Sequence, residues 1–245
     1  GSNGLDFESM TFYRNIGTVN SPLFYSDNVG RFGLSTGNSS SPSFVDIDAD
    51  GDVDAFGNHS VFYHNMGASS IPACSYSNNF GLSGMELNGH TYVTTVDIDS
   101  DGDFDVFVGA FDGSILFLQN TGTANSPGFA AAIANPFGLS NVVSNYPTSS
   151  SAFADIDDDG DLDVFITNNV GETYFFQNTG TANNPAFAAA TTNPFGLANL
   201  NSLLDLDGDG DLDALDGSTG FLRNVGAATT PTFDAESLPS SFGLH

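Results

Sequence analysis

Short apolar runs alternate with polar turns along the whole chain, at the spacing of β-strands rather than of helices. The clearest stretch lies between residues 151 and 189, where apolar runs cover residues 151–154, 164–167, 173–177 and 185–189, with Gly, Asn and Pro at the turns. No stretch shows a convincing helical period. The pattern predicts an all-β protein in which four short antiparallel strands form each structural unit.

Three sequence markers recur in a fixed order. An aspartate-rich pattern of nine residues occurs four times, as DIDADGDVD from Asp46, DIDSDGDFD from Asp97, DIDDDGDLD from Asp155 and DLDGDGDLD from Asp205. Asn-x-Gly follows it, at Asn15, Asn65, Asn120, Asn178 and Asn224. Phe-Gly-Leu comes last, at Phe32, Phe80, Phe137, Phe195 and Phe242. The chain therefore holds four whole units and, at its start, part of a fifth that lacks the aspartate loop.

Four-stranded units repeated at this spacing are typical of β-propeller blades, because each blade buries its faces only against its neighbours. We expect one propeller domain over residues 1–245, with about five blades. A partial blade covers residues 1–34, and the complete repeats cover residues 35–82, 83–139, 140–197 and 198–245. The Phe of Phe-Gly-Leu is expected to pack between blades, and its Gly to adopt a positive φ.

The charge balance points to a bound cation. The chain has 30 acidic residues against three arginines and no lysine, a formal net charge of −27. Nucleic acid is excluded as a partner because phosphate contacts need Lys and Arg. Cys74 is the single cysteine, so no intrachain disulfide is expected. No apolar run approaches the roughly 18 residues of a transmembrane segment.

Alternating aspartates at loop positions 1, 3 and 5 bring three carboxylates to one side of a tight turn, where only a cation relieves their repulsion. Calcium prefers six to eight oxygen ligands at flexible angles, which clustered carboxylates supply. A glycine at position 6 permits the sharp turn: Gly51, Gly102, Gly160 and Gly210. An EF-hand is excluded because position 12 is never Glu; it is Gly57, Val108, Ile166 or Asp216. Asp158, an extra acid at position 4, is expected to be solvated.

The units resemble the FG-GAP or VCBS-type repeats of integrin α-chain propellers and of many secreted bacterial proteins. The resemblance implies four Ca²⁺ ions, one in each loop. It assigns side-chain ligands at positions 1, 3, 5 and 9: Asp46, Asp48, Asp50 and Asp54; Asp97, Asp99, Asp101 and Asp105; Asp155, Asp157, Asp159 and Asp163; Asp205, Asp207, Asp209 and Asp213. It assigns backbone carbonyl ligands at position 7: Asp52, Asp103, Asp161 and Asp211.

The function expected from this resemblance is a non-enzymatic adhesion or protein-interaction module, secreted or displayed on the cell surface, in which calcium is structural. Its partner would be an extracellular protein or a glycan. A calcium-dependent lectin is the alternative; the chain has no Trp to stack on a sugar but several tyrosines: Tyr13, Tyr63, Tyr76, Tyr92, Tyr146 and Tyr174. A polysaccharide lyase is a weaker alternative, because the histidines occupy non-equivalent places: His59, His64, His90 and His245.

The first unit raises a question of ring closure. Residues 10–24 align with residues 114–129, which are the third and fourth strands of a later unit, and no loop or first strand precedes them. An unpaired strand edge is a template for pairing with another chain. The expectation is either a ring with one defective blade or self-association through that edge.

Overall fold

The computed structural model describes residues 11–15, 24–28, 43–56, 62–66, 74–76, 92–110, 112–140, 150–206, 208–217, 220–227 and 229–235, and it confirms an all-β protein. The strands are β1 (Thr11–Asn15), β2 (Phe24–Asn28), β3 (Ser43–Val45), β4 (Asp54–Phe56), β5 (Phe62–Asn65), β6 (Cys74–Tyr76), β7 (Tyr92–Val96), β8 (Asp105–Gly109), β9 (Ile115–Leu118), β10 (Ile133–Ala134), β11 (Ser150–Ala154), β12 (Asp163–Thr167), β13 (Thr173–Phe176), β14 (Thr191–Thr192), β15 (Leu200–Leu204), β16 (Asp213–Asp216), β17 (Gly220–Asn224) and β18 (Phe233–Ala235). Within these ranges, no helix has the length and apolar character needed to cross a membrane.

Four antiparallel sheets follow one another along the chain, each with its strands in sequential order: β3 to β6, β7 to β10, β11 to β14, and β15 to β18. The two middle sheets share the same register, with Phe107 opposite Phe117 in one and Phe165 opposite Phe175 in the other. The sheets are four-stranded antiparallel blades of a propeller. The predicted four-stranded repeat is therefore confirmed for these four units.

The core lies between blades. The first strands contact one another in chain order, β3 with β7, β7 with β11, and β11 with β15. Three apolar clusters in the described part of the chain each join two neighbouring blades, one of which buries Phe56 and Phe62 of the first blade against Val106 and Val108 of the second. A blade loses half of a cluster without its neighbour, which is why such units are stable only in series.

The fourth strand of the third blade lies later than the sequence indicates. Strand β14 covers Thr191–Thr192, whereas residues 185–189 carry an isolated bridge between Phe187 and Asn178. The predicted strand at 185–189 is wrong because this segment closes a loop after Asn178, with the Ala188 N–H bonded to the Gln177 carbonyl at 2.8 Å.

The Phe-Gly-Leu marker joins blades, as predicted. Phe137 stacks edge-on against Phe117, with ring centroids 5.0 Å apart, and its carbonyl accepts the Phe187 N–H of the next blade at 2.7 Å. Gly138 has φ +96°, and a Cβ there would lie 2.7 Å from the Phe187 carbonyl oxygen. The equivalent Phe195 packs against Phe233 of the fourth blade. The other three copies, at Phe32, Phe80 and Phe242, lie outside the described residues.

Strands β1 and β2 form a separate antiparallel pair. This agrees with two adjacent strands in the opening unit, while the remainder of residues 1–34 lies outside the described ranges. A fifth, partial blade stays a prediction, as do the domain boundaries and self-association through an open edge.

Candidate metal centres

Each aspartate loop connects the first strand of a blade to the second. The predicted glycine at position 6 has a positive φ in every loop: Gly51 (+93°), Gly102 (+94°), Gly160 (+92°) and Gly210 (+98°). Position 4 is also left-handed: Ala49, Ser100, Asp158 and Gly208. Three of these are not glycine, so no local signal predicted this second turn. Asp158 is exposed, as expected.

The position-1 aspartate shapes the loop from inside. In the second loop, Asp97 Oδ1 accepts the Asp101 N–H at 3.1 Å, and Oδ2 accepts the Gly102 N–H at 3.1 Å. The first and third loops repeat both bonds. This turn brings the carboxylates at positions 1, 3 and 5 together, so that oxygens of Asp97, Asp99 and Asp101 lie within 4.8 Å of one another. Asp155, Asp157 and Asp159 form the same group in the third loop.

Several carboxylate oxygens in these loops are buried and accept no hydrogen bond within the described structure. At position 3 this holds for Oδ1 in three loops: Asp48, Asp99 and Asp157. In the second and third loops it also holds at position 7, for Oδ1 of Asp103 and Asp161, and in the second loop at position 9, for Oδ2 of Asp105. An unsatisfied buried carboxylate oxygen is costly. A divalent cation among these oxygens would satisfy them at once, so the donor set fits calcium.

The electrostatics point the same way. Burial, reinforced by the neighbouring loop carboxylates, raises the pKa of Asp105 and of Asp163 to about 7, against the hydrogen bonds that Asn120 and Asn178 donate to them. Burial likewise raises the pKa of Asp103 and of Asp54 to about 6. Without a cation, full ionisation of the carboxylates in the first three loops is therefore unfavourable at neutral pH.

Position 9 ties the loop to the third strand. Its Oδ1 accepts the backbone N–H of the Asn in Asn-x-Gly in every blade: Asp54 from Asn65 (2.7 Å), Asp105 from Asn120 (2.7 Å), Asp163 from Asn178 (2.7 Å) and Asp213 from Asn224 (2.9 Å). In the first and fourth loops, Oδ2 also accepts an N–H, from Ile47 and Leu206. These aspartates are at most 1% exposed. Position 9 thus anchors the loop, and its role as a metal ligand stays a prediction.

The Asn of Asn-x-Gly organises the segment that follows it. Asn178 Oδ1 accepts the N–H groups of Gly180 at 3.0 Å and Ala186 at 2.9 Å, which closes the loop after the third strand. The second and fourth blades have the same pair of bonds. The marker is therefore a structural link between the aspartate loop and this second loop.

Sequence reasoning missed one side chain in each site, the residue immediately before Asn-x-Gly. It contacts the loop carboxylates from the end of the third strand or from the residue directly after it: Gln119 Nε2 donates to Asp99 (3.0 Å), Gln177 Nε2 donates to Asp157 (2.8 Å), His64 Nε2 lies 3.1 Å from Asp48 Oδ2, and Arg223 donates to Asp209 (3.4 Å). We call this the strand-three position. Its constant offset from Asn-x-Gly was the only available signal.

The loops also contact the following blade. Asn183 of the third blade donates from Nδ2 to the Asp99 carbonyl at 2.9 Å, and Asn125 of the second blade donates to the Ala49 carbonyl at 3.4 Å. Each of these loops therefore lies at a junction between two blades.

The predicted ligands are brought together to different extents. In the first loop the grouped side chains are Asp48, Asp50 and His64, so the imidazole joins two carboxylates. At position 7 the resemblance implies that the backbone carbonyl is the ligand. Asp103 and Asp161 at this position are largely buried, each with 8% of the residue exposed. Asp207 of the fourth loop lies outside the described residues.

Comparison with known proteins found one matching repeat model. Residues 97–166 match the family model of the FG-GAP-like repeat, a stretch that begins at position 1 of the second loop and contains the third loop. Among solved structures, the chain is similar to a mutant Tc holotoxin pore of Photorhabdus luminescens, with 15% identity and a TM-score of 0.47. That similarity covers 92% of this chain but 10% of the toxin chain, so the chain spans about a tenth of its length. No curated protein sequence matches the chain.

Proposed function

We propose that this chain, a protein with FG-GAP-like repeats, is an extracellular calcium-binding propeller that serves as a non-enzymatic protein-interaction or adhesion module. Calcium would be structural, and blade-end loops would contact the partner. Interaction is the role that the repeat family and the propeller fold suggest.

The observation that carries the calcium proposal is the set of buried, unsatisfied carboxylate oxygens in the second and third loops. Three oxygens in the second loop, from Asp99, Asp103 and Asp105, accept no hydrogen bond from the described residues. Solvated acidic turns would leave such oxygens in water. Calcium supplies the positive charge and the coordination that these oxygens lack.

The surroundings of each loop explain how calcium would stabilise the whole propeller. The loop connects two strands, its position-9 carboxylate holds the third strand, and in two blades its backbone accepts a bond from the next blade. A cation that fixes the loop therefore fixes a junction of several strands. Binding to the native state alone stabilises it by about 2.7 kcal/mol per site at a hundredfold excess over Kd.

A pair of neighbouring substitutions tests this proposal. Asp157→Asn removes the charge of a buried-oxygen position, whereas Asp158→Asn removes the same charge from an exposed residue whose left-handed backbone Asn tolerates. Thermal unfolding is measured with calcium and with chelator. We expect calcium to raise the melting temperature of the wild type and of Asp158→Asn, and to raise that of Asp157→Asn clearly less. A melting temperature that calcium does not change in the wild type would contradict the proposal.

The interaction role needs its own experiment. The labelled chain is incubated in parallel with an array of purified extracellular proteins and with an array of glycans, each in the presence of calcium and in the presence of chelator. Calcium-dependent binding to a protein is the expected result. Binding to glycans alone would contradict the interaction role and indicate the lectin alternative.

A further inference from the structure

We propose that the first blade holds a divalent transition-metal ion, of which Zn²⁺ is the representative, instead of calcium, and that the strand-three position decides which cation each loop accepts. The inference rests on the proposed cation-binding role of the loops. It assigns to His64, with Asp48 and Asp50, a mixed nitrogen and oxygen site.

The geometry of the first loop differs from that of its sister loops. Donor atoms of Asp48, Asp50 and His64 all lie within 4.8 Å of one another, whereas in the second and third blades the corresponding group is the carboxylates at positions 1, 3 and 5. His64 Nε2 is 3.1 Å from Asp48 Oδ2. The other oxygen of Asp48 is buried and accepts no hydrogen bond within the described ranges.

The imidazole is held in place for this contact. His64 is 18% exposed at its side chain, and its ring stacks on Phe62 with an interplanar angle of 16° and ring centroids 6.3 Å apart. Phe62 itself is 2% exposed in the core between the first two blades. The ring therefore presents Nε2 to the loop from a packed strand rather than from a mobile loop.

Ligand chemistry separates this site from the others. Gln119 and Gln177 place an amide at the strand-three position and donate from Nε2 to the position-3 carboxylate, so the remaining donors there are oxygen atoms, which suit calcium. Imidazole nitrogen is a ligand for zinc and related transition metals, and zinc also accepts carboxylate oxygen. Two carboxylates and one imidazole supply three ligands and leave one tetrahedral position for water.

The chain provides its own matched variants for a test. His64→Gln converts the first blade to the side chain found in the second and third, and Gln177→His installs the imidazole in the third blade. Zinc binding is measured by calorimetry with calcium in saturating excess, for the wild type, for each single variant and for the double variant. Circular dichroism and the calcium-induced shift in melting temperature are recorded on the same samples.

We expect His64→Gln to weaken the tight zinc site by roughly tenfold or more, and Gln177→His to add a site to either background. Equal zinc affinity in the wild type and in folded His64→Gln would overturn the proposal, and so would a folded Gln177→His variant without a new site. The calcium measurement separates the zinc site from the proposed stabilisation by calcium. If His64→Gln loses zinc binding but calcium shifts no melting temperature, stabilisation by calcium is refuted and the zinc site remains supported.

Discussion

Replacing the buried aspartate at position 9 by asparagine should have opposite effects with and without calcium. Asp163 is 1% exposed and its Oδ1 accepts the Asn178 N–H at 2.7 Å. Asparagine keeps an acceptor for that bond and removes the charge. Burial, and then the charges of Asp157 and Asp159, raise the pKa of Asp163 from its ordinary 3.8 to about 7.

The sign of the effect follows from proton linkage. The pKa is higher in the folded chain than in the unfolded chain, so between about pH 4 and pH 7 the native state binds more protons. Stability in the absence of calcium therefore falls as pH rises through this window, and the penalty is absent below pH 4. One pKa unit is about 1.4 kcal/mol, so the full shift sets an upper limit of about 4 kcal/mol for the cost of the charge at neutral pH.

The assay is thermal unfolding of Asp163→Asn and the wild type at pH 7.5 and pH 4.5, in chelator. A gain of even 1 kcal/mol corresponds to roughly 2–4 °C for a chain of this size. We expect the variant to melt higher at pH 7.5, with a much smaller difference at pH 4.5. In calcium at pH 7.5 the order should reverse, because the native site has lost a charge. The exposed Asp158→Asn serves as control.

One result would refute the reasoning. If Asp163→Asn melts lower than the wild type in chelator by the same amount at both pH values, the carboxylate acts through hydrogen bonding alone and its charge carries no penalty. The argument for a cation from buried charge would then fail for this loop.

Three further outcomes follow from the structure. Gly122→Ala should destabilise the second blade by more than about 2 kcal/mol, because a Cβ there would lie 2.3 Å from a backbone oxygen. Gly128→Ala in the same loop is the control, since its Cβ would meet nothing within 4 Å, and denaturant unfolding compares the two variants. Arg223→Gln should raise the calcium affinity of the fourth loop, because it removes a cationic side chain that lies 3.4 Å from Asp209. An unchanged affinity in calorimetry would mean that the guanidinium does not compete with calcium. Asn183→Ala should weaken calcium binding in the second loop, because the Asn183 side chain donates a hydrogen bond to the position-3 carbonyl of that loop at 2.9 Å. An unchanged calcium affinity in calorimetry would mean that blade docking and metal binding are independent.

Most of the blade architecture could be predicted from contiguous sequence. Strands β11 and β13 lie where apolar runs between turns indicated, because strand formation follows local alternation. The fourth strand of the third blade was misplaced because residues 185–189 are apolar but belong to a loop that the Asn178 side chain closes from eight residues away. That closure is a tertiary feature, and alternation alone carries no information about it.

The sequence by itself determined the repeat, the four-stranded unit and the clustering of carboxylates at positions 1, 3 and 5, because a nine-residue turn is specified by its own residues and by the glycine at position 6. Only the tertiary structure decided what surrounds each cluster. Gln119 reaches the Asp99 carboxylate across 20 residues and Asn183 reaches the Asp99 carbonyl across 84. The imidazole of His64 joins the first loop through the pairing of β4 with β5, and the position-9 aspartate is buried where it meets the third strand of its own blade. These contacts depend on strand register and on the docking of neighbouring blades. Because the contacting residues are far apart in sequence, no local sequence pattern could predict them.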